Sequence, residues 1–153
     1  MAEIWTPNRK PRPAGVVPRL IVLHSTIGSY RGAVAWLRNP ESGVSSHYVI
    51  AKDGRHVKLA PLTDMTFHAG RSKWNNKLGV NSISIGIEME HFDQKNETWP
   101  TKQLEKLVIL LKDIHVAYGK LRILGHADIC LPPGRKIDPR QFPWELLGRM
   151  ITG

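Results

Sequence analysis

The chain has 153 residues, and its 22 Lys+Arg against 13 Asp+Glu leave a formal charge of +9. That length fits one domain with one core, and 41% hydrophobic with 23% charged residues describes a folded globular protein, not a disordered one. A single cysteine, Cys130, excludes an internal disulfide, and apolar runs such as Leu20 to Leu23 fall far short of the about 18 residues that span a bilayer. The charge points to an anionic partner without choosing among nucleic acid, a membrane surface and an acidic polymer.

Residues 1–18 read as a basic, Pro-rich arm carrying Arg9, Lys10 and Arg12, with residues 19–153 as a single domain. No apolar stretch follows the first bases, so no secretory leader is legible and synthesis in the cytoplasm is expected. The run from Arg19 to His24 predicts a strand buried on both faces. A short helix follows from about Tyr30 to Arg38, with Val34, Trp36 and Leu37 on one face and Asn39-Pro40 as its stop. Ser46 to Lys52 and Arg55 to Leu59 flank Asp53-Gly54 and predict a hairpin. Ser82 to Glu90 alternates, placing Ile83, Ile85, Ile87 and Met89 on one face and Ser84, Gly86, Glu88 and Glu90 on the other.

The longest helix is expected over Thr101 to Tyr118, on a stripe of Leu104, Leu107, Val108, Leu111, Ile114 and Val116, with Gly119 as its stop. Leu121 to Gly125 predicts another strand, and Pro143 to Met150 a terminal helix. The order gives an α/β fold: a single domain with a central mixed β-sheet flanked by helices.

Two strands end in histidine, His24 and His126. A histidine taken alone reads as readily as a surface or hydrogen-bonded residue. The tract from Gly125 to Pro139 adds weight, because it gathers His126, Asp128, Cys130, Lys136 and Asp138 around a Pro-Pro-Gly turn. If it folds back onto His24, two imidazoles and a carboxylate would leave one position open on zinc, the pattern of a hydrolytic site.

Five segments together, Val-Leu-His-Ser-Thr (22–26), Ser-Ser-His-Tyr-Val-Ile (45–50), Phe-His-Ala-Gly (67–70), Asn-Ser-Ile-Ser-Ile-Gly-Ile-Glu (81–88) and Gly-His-Ala-Asp-Ile with Gly-Arg-Lys-Ile-Asp-Pro (125–139), resemble the type 2 N-acetylmuramoyl-L-alanine amidases. These are zinc enzymes related to peptidoglycan recognition proteins, and the likeness spans roughly residues 20 to 145. The resemblance implies a peptidoglycan recognition protein-like amidase fold. It implies His24, His126 and Asp138 as ligands of Zn2+, Glu88 as catalytic acid/base and Lys136 as the oxyanion's partner. His47, His68 and Asn81 become candidates for lining the site or holding the peptide stem.

Ser46 stands where phage members often carry tyrosine, which favours Glu88 for the acid/base role. Cys130 lies six residues before Lys136, whereas Asp138 follows it by two, the spacing of the family's third ligand. The implied reaction is hydrolysis of the amide between N-acetylmuramic acid and L-alanine in peptidoglycan. A compact, basic catalytic domain suits a phage endolysin that acts on the wall after release through the membrane. A cytoplasmic recycling or housekeeping amidase and a non-catalytic peptidoglycan-binding module are the alternatives. The bases would then hold the enzyme on anionic envelope polymers, and no motif supports specific nucleic-acid binding.

Overall fold

The computed structural model describes residues 2–153. In chain order the elements are β1 (Ala2–Glu3), β2 (Arg9–Pro11), β3 (Leu20–Ser25), α1 (Tyr30–Leu37), β4 (Tyr48–Ile50), β5 (His56–Lys58), β6 (Asp64–Thr66), β7 (Lys73–Trp74), β8 (Lys77–Leu78), β9 (Ser84–Met89), α2 (Thr101–Tyr118), β10 (Arg122–Gly125), α3 (His126–Ile129) and α4 (Trp144–Thr152). Six strands form a mixed sheet in the order β1-β5-β4-β9-β3-β10. The pairs β4–β9, β9–β3 and β3–β10 are parallel, while β4 and β5 form the expected antiparallel hairpin.

The central strand β3 is buried along its whole length, as its unbroken apolar run predicts. Its side chains alternate between two cores. Ile21 and Leu23 join Ile85, Ile87 and Met89 of β9 against Leu104, Leu107, Leu111 and Ile114 of α2, with Leu147 of α4. Leu20 and Val22 face the other way, with Ala69, Val80 and Ile129. Ile83 belongs to this second cluster, not to the face of Ile85, because Asn81–Ile83 is a 3-10 turn that breaks the alternation before β9 begins.

Two details of the helices differ from the sequence pattern. Val116, on the stripe the sequence pattern predicts to be buried, is 89% exposed, while Gln103 is fully buried. The Gln103 side-chain amide donates to the carbonyls of Ile50 (3.2 Å) and Glu90 (3.0 Å), tying the first turn of α2 to the ends of β4 and β9. In α1, Val34 and Leu37 pack on Val49 and Val57, but Trp36 stands 56% exposed. Positions 34 and 37 share a helix face, and position 36 lies well round from it.

Of the segment expected as a basic arm, residues 1–18, Met1 lies outside the described residues. The rest is woven into the domain: β1 pairs parallel with β5, and β2 pairs antiparallel with β6. Arg12, read from the sequence as a surface base, is instead buried. Its guanidinium donates to the carbonyls of Leu62, Ser82 and Ser84, and Arg9 pairs with Asp64. No helix among the described residues is long and apolar enough to cross a membrane.

The packing of α2 gives a direct contrast. Leu107→Ala empties a site that is 0% exposed and should cost about 2–5 kcal/mol in urea denaturation. Val116→Ala should stay within about 0.5 kcal/mol.

Candidate metal and catalytic site

Three parallel strands end side by side, and the titratable groups collect at their carboxyl ends. Register sets Leu23 opposite Gly125 and His24 opposite Glu88. His24, Glu88 and His126, the residue that follows β10, therefore become neighbours although the two histidines are 102 positions apart. Asp138 arrives from the loop beyond α3. Its backbone carbonyl accepts from Ala127 N (3.0 Å), and its Oδ2 accepts from Ser25 N (3.2 Å).

The Nδ1 atoms of His24 and His126 are 3.1 Å apart. Asp138 Oδ2 lies 3.6 Å from His24 Nδ1, and Oδ1 lies 3.3 Å from His126 Nδ1. One ligand atom from each of the three residues falls within 4.8 Å of the others. His126 Nε2 is 3.1 Å from the Ala69 carbonyl, which only accepts, so Nε2 holds the proton and Nδ1 offers its lone pair inward. Two imidazole nitrogens and one carboxylate converging in this way suit zinc and leave a coordination position for water or substrate.

Burial is the main cause of the lowered pKa of His24 and keeps that imidazole neutral, the form that binds a metal. Burial pushes Asp138 up, but its close contacts with His126 and His24 prevail and hold it below the usual carboxylate range. Glu88, with Oε2 3.6 Å from His24 Nδ1, is raised well above that range. Burial is the largest cause, followed by repulsion from Asp138; Lys136 pulls the other way, and Asp93 adds to the rise. A carboxyl group raised in this way is suited to taking up and returning a proton near neutral pH.

These groups open onto a cavity of about 560 Å³. Glu88, Lys136 and the three candidate ligands line it, together with Trp36, Phe92 and Ile137. The last three are exposed apolar side chains, at 56%, 41% and 61%, that form a rim where a ligand can shed water. Sequence reasoning missed this rim. The available signal was the position of Trp36 on α1, off the face shared by Val34 and Leu37.

Of the remaining candidates, His68 lines the cavity while His47 and Asn81 do not. His47, expected near the substrate, is fully buried and does not line the cavity. Its Nδ1 accepts from Gly86 N (3.1 Å), and its Nε2 donates to the Asp64 carbonyl (2.8 Å), bracing β9 against β6. Asn81, expected to hold the peptide stem, also lies off the cavity; its Oδ1 accepts from the backbone N–H groups of His68 (3.2 Å) and Ala69 (2.9 Å). His68 reaches the cavity wall behind His24. Cys130 is buried with its Sγ 3.7 Å from the Ala127 carbonyl, outside the three-residue cluster. His91, which the sequence gave no reason to single out, is fully buried and stacks on Trp99 at 3.8 Å.

The fold is an α/β domain whose mixed sheet carries, at the carboxyl ends of its parallel strands, a His-His-Asp cluster that could hold a metal ion. The chain belongs to the N-acetylmuramoyl-L-alanine amidase family, whose model matches residues 13–141. A Rickettsia conorii protein named as an N-acetylmuramoyl-L-alanine amidase is 35% identical, over 97% of this chain and 58% of that one. The 1,6-anhydro-N-acetylmuramyl-L-alanine amidase AmpD of Haemophilus influenzae is 38% identical, over 67% of this chain and 55% of that one. Among solved structures, E. coli AmiD in complex with the substrate anhydro-N-acetylmuramic acid-L-Ala-D-gamma-Glu-L-Lys superposes with a TM-score of 0.76 at 29% identity, covering 92% of this chain and 60% of that one. The chain thus spans little more than half the length of these relatives.

The placement of His47 has a consequence for acid stability. Burial, and after it the charges of Arg12 and Lys58, outweigh the Asp64 carbonyl and lower its pKa from 6.5 to about 3. Between those values the unfolded chain takes up a proton that the folded one refuses, so stability falls as pH falls, by up to about 1.4 kcal/mol per pH unit. His47→Asn should be destabilised at pH near 7, and urea denaturation should show its gap to the parent narrowing as the pH drops toward about 4.

Proposed function

We propose that this protein hydrolyses the amide bond between N-acetylmuramic acid and L-alanine in peptidoglycan, with zinc held by His24, His126 and Asp138. The observation that carries this reading is the convergence of those three ligand atoms within 4.8 Å, with Glu88 Oε2 3.6 Å from His24. Family membership supports it, as does the substrate named in the AmiD complex. Zinc, when bound, supplies Lewis-acid polarisation of the carbonyl and makes a water easier to deprotonate.

The chain's own groups do the rest. Glu88 accepts a proton from the attacking water as its oxygen bonds to the lactyl carbonyl carbon. The ammonium of Lys136, at the cavity wall, stabilises the negative charge that develops on the carbonyl oxygen. Glu88 then returns the proton to the alanine nitrogen as the C–N bond breaks, giving a lactyl carboxylate and a free peptide amine. The apolar rim of Trp36, Phe92 and Ile137 covers the bound chain and limits water around the reacting bond.

The net charge of +9 supports retention on an anionic envelope polymer, through exposed bases such as Lys10, Arg31 and Arg38. The positive charge supports a lytic role on the wall after release from the cell, as in a phage endolysin. A second reading, a wall-turnover amidase, is favoured by the anhydro-muramyl substrates named for AmpD and AmiD. Rates on intact sacculi and on soluble anhydro-muropeptide separate the two roles.

Digestion of purified peptidoglycan, followed by mass spectrometry, should release intact stem peptides with free L-alanine amines, and a chelator should abolish the release. New reducing sugar ends would overturn the assignment. Glu88→Gln should lower kcat by about 10²–10⁴-fold with zinc still bound, and Lys136→Ala by about 10²-fold or more. In equilibrium dialysis Asp138→Ala should lose zinc, whereas Cys130→Ala should retain it.

A further inference from the structure

Behind the three candidate ligands lies a layer of hydrogen bonds centred on His68. His24 Nε2 is 2.9 Å from His68 Nδ1. His68 Nε2 is 2.9 Å from Ser84 Oγ, and that hydroxyl donates to the Val80 carbonyl at 2.7 Å. A hydroxyl has one proton, and a carbonyl can only accept. With the Ser84 proton spent on Val80, its oxygen accepts from His68 Nε2–H. His68 Nδ1 is then an acceptor, so the proton between the two rings belongs to His24 Nε2. In the neutral imidazole that leaves His24 Nδ1 with a bare lone pair, pointing at His126 and Asp138.

The next residue does the same for the other histidine, since the Ala69 carbonyl accepts from His126 Nε2 (3.1 Å). Both acceptors therefore sit on one dipeptide. Asn81 Oδ1 holds that dipeptide by accepting both of its backbone N–H groups. Gly86 gives the His68 ring its space on β9, because a Cβ there would lie 2.5 Å from His68 Cγ.

We propose that His68 and Ala69, fixed by Asn81, Ser84 and Gly86, form an outer layer that sets the tautomers of both imidazole ligands and so presents two Nδ1 lone pairs to the metal. This rests on the metal reading above and goes beyond it, assigning His68 and Asn81 as positioning residues and not as contacts to the peptide stem. An unpaired Nε2–H in this buried place would draw the proton of His24 toward Nδ1, where Asp138 can accept it and where it blocks coordination.

The test compares the full-length protein with His68→Leu and His68→Gln. Glutamine keeps an oxygen acceptor for His24 and an amide donor for Ser84; leucine supplies neither. Zinc affinity, measured by chelator competition, should fall about 10- to 100-fold in His68→Leu and stay within about threefold of the parent in His68→Gln. In chelator-treated, ¹⁵N-histidine-labelled protein above neutral pH, His24 should be the Nε2–H tautomer in the parent and shift toward Nδ1–H in His68→Leu. A role limited to packing would leave that tautomer unchanged.

Equal affinity in His68→Leu and the parent, equal losses in the two variants, or a parent His24 protonated at Nδ1 would each overturn the proposal. If His68→Leu does not fold, Ser84→Ala keeps the ring and removes only its anchor, and an unaltered His24 tautomer with unaltered zinc affinity there would overturn it as well. A parent that shows the Nε2–H tautomer but binds no zinc would instead refute the metal reading and leave the hydrogen-bond assignment standing.

Discussion

The site depends on the in-register parallel pairing of β3 with β9 and β10. Strand pairing fixes where each residue lies along the sheet, and a slip of one residue would reverse which face every side chain meets. With Leu23 opposite Gly125 and His24 opposite Glu88, the two imidazoles and the carboxyl group reach the same edge of the sheet. That register is held by burial on both sides, since β3 has a different apolar core against each face. The geometry at the edge is thus set by hydrophobic packing several residues away.

Charge around the site is managed by burial and hydrogen bonds more than by ion pairing. His24, His47 and His68 are buried, and burial is the leading cause of the lowered pKa of each. Neutral rings can act as both donor and acceptor, so they link strands and loops without the desolvation cost of buried cations. Glu88 and Asp138 sit in the same small region with opposite shifts, the first raised and the second lowered. Two carboxyl groups with divided behaviour are what a site needs when one must carry a proton and the other must remain an anion.

Much of the fold was legible because its elements are governed by local periodicity. The run Leu20 to Leu23, the alternation from Ser84 to Met89 and the stripe of α2 each report a strand or helix directly. The misreadings have one physical origin, which is that a pattern does not say what covers a face. Val116 points well round α2 from Leu107, Leu111 and Ile114, on a side of the helix that nothing covers, while Tyr118 beyond it still packs on the core. Trp36 looks like core and stands on the cavity rim. Arg12 looks like a surface base, yet its guanidinium is consumed by backbone carbonyls that come together only in three dimensions.

The sequence by itself determined the residue types available for chemistry, and the resemblance in its five segments pointed to His24, His126, Asp138, Glu88 and Lys136. Short-range pattern suffices there, because a strand end or a Lys-Ile-Asp spacing is written in consecutive residues. Only the tertiary structure decided that three of those groups meet within 4.8 Å, that Asp138 and not Cys130 joins them, and that His68 and Asn81 stand behind the ligands. Those outcomes depend on hydrogen-bond direction and on contacts between residues far apart in the chain, and neither is encoded in any local run of residues.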